Sequence, residues 1–198
     1  MQKLVIASNN AHKIREIKQI LAPWFTNVVS MQDAGLDLDI VEDGETFEEN
    51  SLIKAKAVFE ALEGTCAVLA DDSGLSVDAL AGAPGVYSAR YAGSHDDAAN
   101  NEKLLFALKD VPDEKRTAAF VCVITLVRPN CEPLLVRGES RGVIARSLSG
   151  RNGFGYDPLF FVPRLQKSFA ELSEQEKNAI SHRGRALALL RKALESGK

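Results

Sequence analysis

The stretch Ala118-Ala119-Phe120-Val121-Cys122-Val123-Ile124-Thr125-Leu126-Val127 limits the possible folds more than any other part of the chain. A strand of that length, apolar on both faces, is stable only where both faces of its sheet are covered, as in the centre of an α/β fold. The rest of the chain supplies the cover. Leu4 to Ala7 reads as a first strand. The polar turn Ser8-Asn9-Asn10 then leads to a helix with Ile14, Ile17, Ile20 and Leu21 on one face, stopped near Pro23. Val28-Val29 reads as a second strand. Thr46 and Glu49 have capping-box spacing and open a helix running towards Glu63. Asp96 to Lys109 reads as a helix with Leu104, Leu105 and Leu108 inward. Pro129-Asn130 turns into a strand near Leu134-Leu135-Val136, predicting a hairpin, and Val143-Ile144 extends that sheet. Ser173 and Glu176 repeat the capping-box spacing at the start of a helical C-terminus ending near Ser196. This order predicts an α/β fold: a mixed sheet with helices on its faces and an antiparallel part in the middle of the chain.

At 198 residues, with 45% apolar and 26% charged residues, the chain reads as one globular domain spanning 1–198. A net charge of -3 argues against nucleic acid as the main partner. Cys66, Cys122 and Cys131 form no CxxC pair. Cys66 and Cys122 lie inside apolar runs, as buried thiols of a reducing, cytoplasmic protein would. His12, His95 and His182 are too scattered for a zinc motif. The first apolar run is too brief for a signal peptide, and no stretch approaches membrane-spanning length.

A second apolar run, Cys66-Ala67-Val68-Leu69-Ala70, reads as a short buried strand that closes in Asp71-Asp72-Ser73-Gly74. Two adjacent carboxylates at a strand end repel each other and are costly to bury, a problem that a divalent cation removes. In open α/β sheets the ends of strands are also where ligands bind. The competing reading is a strand-to-turn cap, with Asp and Ser bonded to local backbone.

Three further segments carry polar chemistry, each with a plain structural alternative. Ser8-Asn9-Asn10-Ala11-His12-Lys13 opens a helix, where backbone N–H groups and Lys13 suit a phosphate, or it is simply a cap. Neither a Walker loop nor GxGxxG occurs. Gly153-Phe154-Gly155-Tyr156-Asp157-Pro158 offers close backbone approach and two aromatics for stacking on a base, or it is a tight turn with core aromatics. Lys177 with Ile180-Ser181-His182-Arg183 offers cationic heads for phosphate or base edges, or it is a solvated helix face. The acidic stretch Asp37 to Glu49 supplies either a second metal carboxylate or charges favourable to a helix dipole. Tyr87 to Tyr91 reads as pocket wall or packed strand. Together these are the parts of a magnesium-dependent nucleotide site.

In their order along the chain, S-N-N-A-H-K, D-G-E-T-F-E-E-N, A-D-D-S-G-L, G-A-P-G-V-Y-S-A-R-Y-A-G, G-F-G-Y-D-P-L-F and E-K-N-A-I-S-H-R resemble one family nearly end to end. It is the family of dITP/XTP, or inosine triphosphate, pyrophosphatases. The resemblance implies an elongated, two-lobed α/β fold with a central mixed sheet flanked by helices, a substrate cleft between the lobes, and a homodimer. It also implies the reaction. A purine nucleoside triphosphate with an abnormal base (ITP, dITP or XTP) is cut to the monophosphate and pyrophosphate with Mg2+. The resemblance gives roles to residues too. Ser8, Asn9, Asn10, Ala11, His12 and Lys13 would bind the triphosphate, with Lys13 stabilising developing charge. Asp72 would hold magnesium and act as general base, and Ser73 would touch substrate. Phe154, Gly155, Tyr156 and Asp157 would cradle base or sugar. Lys177 would bind phosphate or position substrate, and His182 with Arg183 would contact the base. One position departs from the pattern. A metal-binding Glu often found three residues before Gly44 is replaced by Val41, and the adjacent Glu42 is the stand-in.

Overall fold

A computed structural model of the chain describes residues 3–21, 25 and 27–197. The strands are β1 (Leu4–Ile6), β2 (Val28–Ser30), β3 (Ala67–Val77), β4 (Thr117–Val127), β5 (Leu134–Ile144), β6 (Phe160–Val162) and β7 (Lys167–Ser168). The helices are α1 (Ala11–Leu21), α2 (Phe47–Ala61), α3 (Asp97–Ala107), α4 (Glu174–Ile180) and α5 (His182–Glu195). The strands form one sheet in the order β2-β1-β3-β4-β5-β6-β7, with the apolar β4 in the middle. β1 runs parallel to β2 and β3, while β6 runs antiparallel to β5 and β7, so the sheet is mixed. The fold is therefore α/β with a central mixed sheet and flanking helices, as the order of elements predicts.

The chain divides into two compact units. The first holds residues 1–72, 122–138 and 183–198, and the second holds 73–121 and 139–182. In the first unit, strand residues alternate between two faces. Leu4, Ile6, Ala67, Leu69, Cys122, Ile124 and Leu126 pack against Ile17 and Leu21 of α1 and Ala186, Leu187 and Leu190 of α5. Val5, Ala7, Val68 and Ala70 face the other way, against Ala55 and Val58 of α2. In the second unit Leu75, Val77, Leu104, Leu108 and Tyr156 join three phenylalanines. Phe120 lies 4.6 Å from Phe160 and 5.7 Å from Phe169, ring centre to ring centre.

Local chemistry fixes the helix starts. Thr46 accepts from the Glu49 N–H while the Glu49 carboxylate reaches back to the Thr46 N–H, and Ser173 with Glu176 repeats this reciprocal cap. Asp96 caps α3 through the N–H groups of Ala98 and Ala99.

Several expectations need correction. β3 does not close at Asp71-Asp72 but continues to Val77, so the two carboxylates lie inside a strand. Tyr87 to Arg90 belong to a 3-10 helix rather than a strand, and Tyr87 is exposed. The C-terminal helix is two helices, because Ser181 adopts an extended conformation between α4 and α5. Cys66 is half-buried and Cys131 exposed, so only Cys122 is a fully buried thiol. Pro23 lies outside the described residues. Among the described residues no helix is long and apolar enough to cross a membrane.

Leu69 is wholly buried where β3 meets α1 and α5. Leu69→Ala should lower unfolding free energy by ~2–5 kcal/mol, from lost transfer energy plus a cavity. Urea unfolding checks this, and a loss under ~1 kcal/mol would contradict the packing described.

Candidate active site

β1 ends at Ile6, which is in register with Leu69 of β3. Asp71 and Asp72 therefore lie just past the carboxyl end of β1, in the crevice position where α/β sheets bind ligands. Because successive side chains alternate, the two carboxylates point to opposite faces and meet different partners.

Asp71 faces α1 and α5 and is fully buried. Its Oδ1 meets the Lys13 ammonium at 2.6 Å, and its Oδ2 accepts from the Arg183 guanidinium at 2.8 Å and the Cys122 thiol at 3.0 Å. Arg183 also donates to the Glu16 carboxylate. Burial alone would raise the Asp71 pKa, but Arg183 and Lys13 outweigh it and hold the carboxyl well below its usual range. For Arg183, burial is likewise overcome by Asp71 and Glu16, which hold it charged. Burial pushes the Cys122 thiol well up, and the charge of Asp71 adds to that.

Asp72 faces α2. The Lys54 ammonium sits between two carboxylates, 2.9 Å from Asp72 Oδ1 and 2.7 Å from Glu42 Oε2. The second oxygen, Asp72 Oδ2, is buried and has no hydrogen-bond partner among the described residues. Burial raises the Asp72 pKa, and Lys54 and Lys13 pull it back only in part. Burial acts against the Lys54 charge, but Asp72 and Glu42 more than restore it. Glu42 is held in place by its own loop. Asn50 accepts from the Gly44 N–H at 2.9 Å and donates to the Gly44 carbonyl at 3.2 Å. A Cβ on Gly44 would stand 2.7 Å from Glu49 Cβ and 2.8 Å from Asn50 Oδ1, so the clamp requires glycine. Val41, by contrast, is 72% exposed. Glu42, not Val41, thus shares a lysine with Asp72.

The start of α1 is capped from within. Asn10 Oδ1 accepts from the N–H groups of His12 and Lys13, and the Asn10 N–H donates to Ser8 Oγ. Ser8 is half-buried, while Asn9, Asn10, Ala11 and His12 are exposed at this helix start.

The second unit carries the Gly153–Asp157 loop. Asp157 Oδ2 accepts from the Phe154 N–H at 2.9 Å and from the Lys177 ammonium at 2.7 Å. That ammonium lies 4.8 Å from the Phe154 ring centre. Gly153 has φ +76°, and a Cβ there would fall 2.0 Å from Asp157 Oδ2, so this turn too requires glycine. The Tyr156 hydroxyl donates to the Ser88 carbonyl, and burial raises its pKa. His182 is buried and stacks on Phe120, ring centres 4.7 Å apart. Ser73, half-buried in β3, opens this unit.

The Ham1 family model matches residues 4–193. The chain belongs to the Ham1 family. It is 55% identical over 200 residues to the dITP/XTP pyrophosphatase of Clostridium perfringens, with 98% of each chain covered. It is 49% identical over 199 residues to the dITP/XTP pyrophosphatase of Pectobacterium atrosepticum, covering 99% of this chain and 100% of that relative. The structure of the Staphylococcus aureus Ham1 protein matches at TM-score 0.88 and 46% identity, covering 100% of both chains. The Coxiella burnetii HAM1 protein matches at TM-score 0.89 and 44% identity, covering 99% of this chain and 100% of that one.

In this Ham1-family chain the residues expected to meet substrate divide by environment. Lys13, Asp72 and Glu42 form one cluster with Lys54 and Asp71 in the first unit. Lys177 and Arg183 do not form a solvated helix face. Both are buried, the one held by Asp157 and the other by Asp71 and Glu16. Lys54 has no counterpart in the sequence reading. The signal for it was present: Phe47, Asn50, Ser51, Lys54, Ala55 and Val58 form the buried stripe of α2, and a lysine in a core-facing stripe needs a partner. Glu16 was missed for the same reason, as a buried acid one residue from Ile17 on α1.

Arg183→Ala would strip Asp71 and Glu16 of their guanidinium. It should cost ~3–5 kcal/mol, the usual penalty for removing one partner of a buried ion pair. Urea unfolding at neutral pH checks it, and a cost below ~1 kcal/mol would mean that the network carries little.

Proposed function

We propose that the protein hydrolyses purine nucleoside triphosphates bearing deaminated bases, ITP, dITP and XTP, to the monophosphate and pyrophosphate. In this role it removes such bases from the nucleotide pool as a cytoplasmic, homodimeric, magnesium-dependent enzyme. Membership of the Ham1 family and full-length similarity to enzymes named dITP/XTP pyrophosphatase support the reaction class. The observation that carries the chemistry is Asp72 Oδ2, a buried carboxylate oxygen beside Glu42 and Lys54 that has no hydrogen-bond partner among the described residues. Such an orphan acceptor is expensive in a folded protein unless a ligand completes it.

The donor set fits magnesium, which takes hard oxygen ligands and is commonly held by one or two carboxylates plus substrate phosphates. Asp72 and Glu42 would hold it. When bound, the ion would offset charge on the triphosphate and on the departing pyrophosphate. Asp72 would take a proton from, or orient, the water that attacks phosphorus. Lys54, already fixed on Asp72 Oδ1, would keep that carboxylate aimed. Lys13 and the helix start from Ser8 to His12 would receive phosphate oxygens. In the second unit Ser73 would touch substrate, and Phe154, Gly155, Tyr156 and Asp157 would receive the base or sugar. Lys177 would position that loop through Asp157.

Base selection follows from hydrogen-bond chemistry. Hypoxanthine and xanthine present a 6-oxo acceptor where adenine presents an amine donor. A site with donors there rejects adenine, since a buried donor left without a partner is costly. Guanine shares the 6-oxo group, so position 2 must be read by a close wall. His182 and Arg183 are the donors in this reading. Because Arg183 is engaged by Asp71 and Glu16, its part in selection requires an exchange of partners.

Pyrophosphate release from ITP, XTP, ATP and GTP, with and without magnesium, tests the proposal. The expected result is magnesium-dependent release with ITP and XTP far ahead. Comparable release from all four would remove the selectivity, and no release would remove the reaction. Asp72→Asn should lower turnover at least ~100-fold, the low end for a positioned acid or base. Near-normal turnover with an intact fold would overturn the role of Asp72.

A further inference from the structure

We propose that Asp97 and Asn101, on the first turns of α3, are positioning residues for purine selection. They fasten the Gly155 peptide and so set the shape of the Phe154–Asp157 loop. The inference rests on the reading of that loop as the one that receives the base. Both polar atoms of the Gly155 residue are held from α3. Its N–H donates to Asp97 Oδ2 at 2.7 Å, and its carbonyl accepts from Asn101 Nδ2 at 2.9 Å.

The loop needs such a hold. Gly153 and Gly155 both adopt left-handed φ, +76° and +60°, and glycine gives up more backbone freedom on ordering than any other residue. At Gly155 no packing contact supplies this hold, since a Cβ there would find nothing within 4 Å. The backbone is thus open on that side, and its direction is set by α3.

Asn101 shows what this arrangement costs. The residue is 95% buried, as its relative exposure of 5% states. Its amide hydrogens go to two carbonyls, Asp97 O at 2.7 Å and Gly155 O, which fixes the orientation of the amide. Its Oδ1 is then left buried with no partner among the described residues. A buried aliphatic side chain at this position would avoid that penalty. The hold on Gly155 is what asparagine adds. Asn100, the next residue back, fixes the preceding segment in the same manner, accepting from Ala92 N–H at 2.7 Å and donating to Ala89 O at 3.2 Å. The far end of the loop is closed by Asp157 and Lys177, so α3 supplies the other fastening.

Loosening this fastening should weaken and blur recognition while leaving the phosphate chemistry of the first unit in place. Steady-state kinetics of Asp97→Ala and Asn101→Ala on ITP and GTP test it. The expected result is a KM for ITP raised roughly tenfold with kcat within about threefold, and a reduced preference for ITP over GTP. Asp97→Asn, which retains a side-chain oxygen for the Gly155 N–H, should restore both. Asp97 is exposed, so its variants keep the test informative even where Asn101→Ala fails to fold. Wild-type KM and preference in Asp97→Ala, or no restoration by Asp97→Asn, would overturn the inference. An inactive wild type would instead overturn the reading of function on which it rests.

Discussion

The two-residue period of a strand is the constraint on which the first unit depends. It sends Asp71 and Asp72, adjacent in sequence, to opposite faces of β3, so they do not compete for one environment. Asp71 is left fully buried, where an ionised carboxylate is tolerated only with good partners. Its partners come from α1 and α5, and the Arg183 pair spans 112 residues of chain. The start of α1, with its run of polar residues, and the start of α5 are therefore held to the same point of the sheet by one charge. Such a network is a poor source of net stability, because desolvation consumes much of the Coulombic gain. It does make alternative placements of these helix starts expensive.

A second device recurs in both units. In each, a helix reaches out with a side-chain amide to hold a glycine of a neighbouring loop. Asn50 of α2 grips both polar atoms of Gly44 and so places Glu42, while Asp97 and Asn101 of α3 share those of Gly155. The reason is general. A glycine in a loop brings no side chain with which to fix its own backbone. At Gly44 the missing side chain lets Glu49 and Asn50 close on the backbone, at Gly155 it leaves the backbone open, and in both a helix restores the order that glycine lacks.

Much of this was legible in the sequence because its causes are local. The capping boxes at Thr46 and Ser173 and the glycine turn at Gly153 depend on neighbours within a few residues, and the apolar run of β4 is written in consecutive residues. The errors arose where distant residues decide. A carboxylate pair reads as a strand end when nothing nearby can pay its desolvation cost, yet Arg183 and Lys54 supply the counter-charges and β3 runs on to Val77. Lys54 and Glu16 sit in the buried stripes of their helices, but which charges they meet is decided by partners distant in sequence. The break at Ser181 carries no proline or glycine at that residue to announce it.

Lys54 also bears on what a cation would do. Two carboxylates, Asp72 and Glu42, share its single positive charge. One ammonium bonds both Asp72 Oδ1 and Glu42 Oε2. It does not satisfy Asp72 Oδ2, which is buried and has no hydrogen-bond partner among the described residues. A divalent ion arriving with triphosphate would therefore add to Lys54 rather than displace it. The lysine would keep its oxygen, and the ion would find the one that remains. In the proposed reading, metal affinity would then depend on the nucleotide, whose phosphates would supply the remaining ligands.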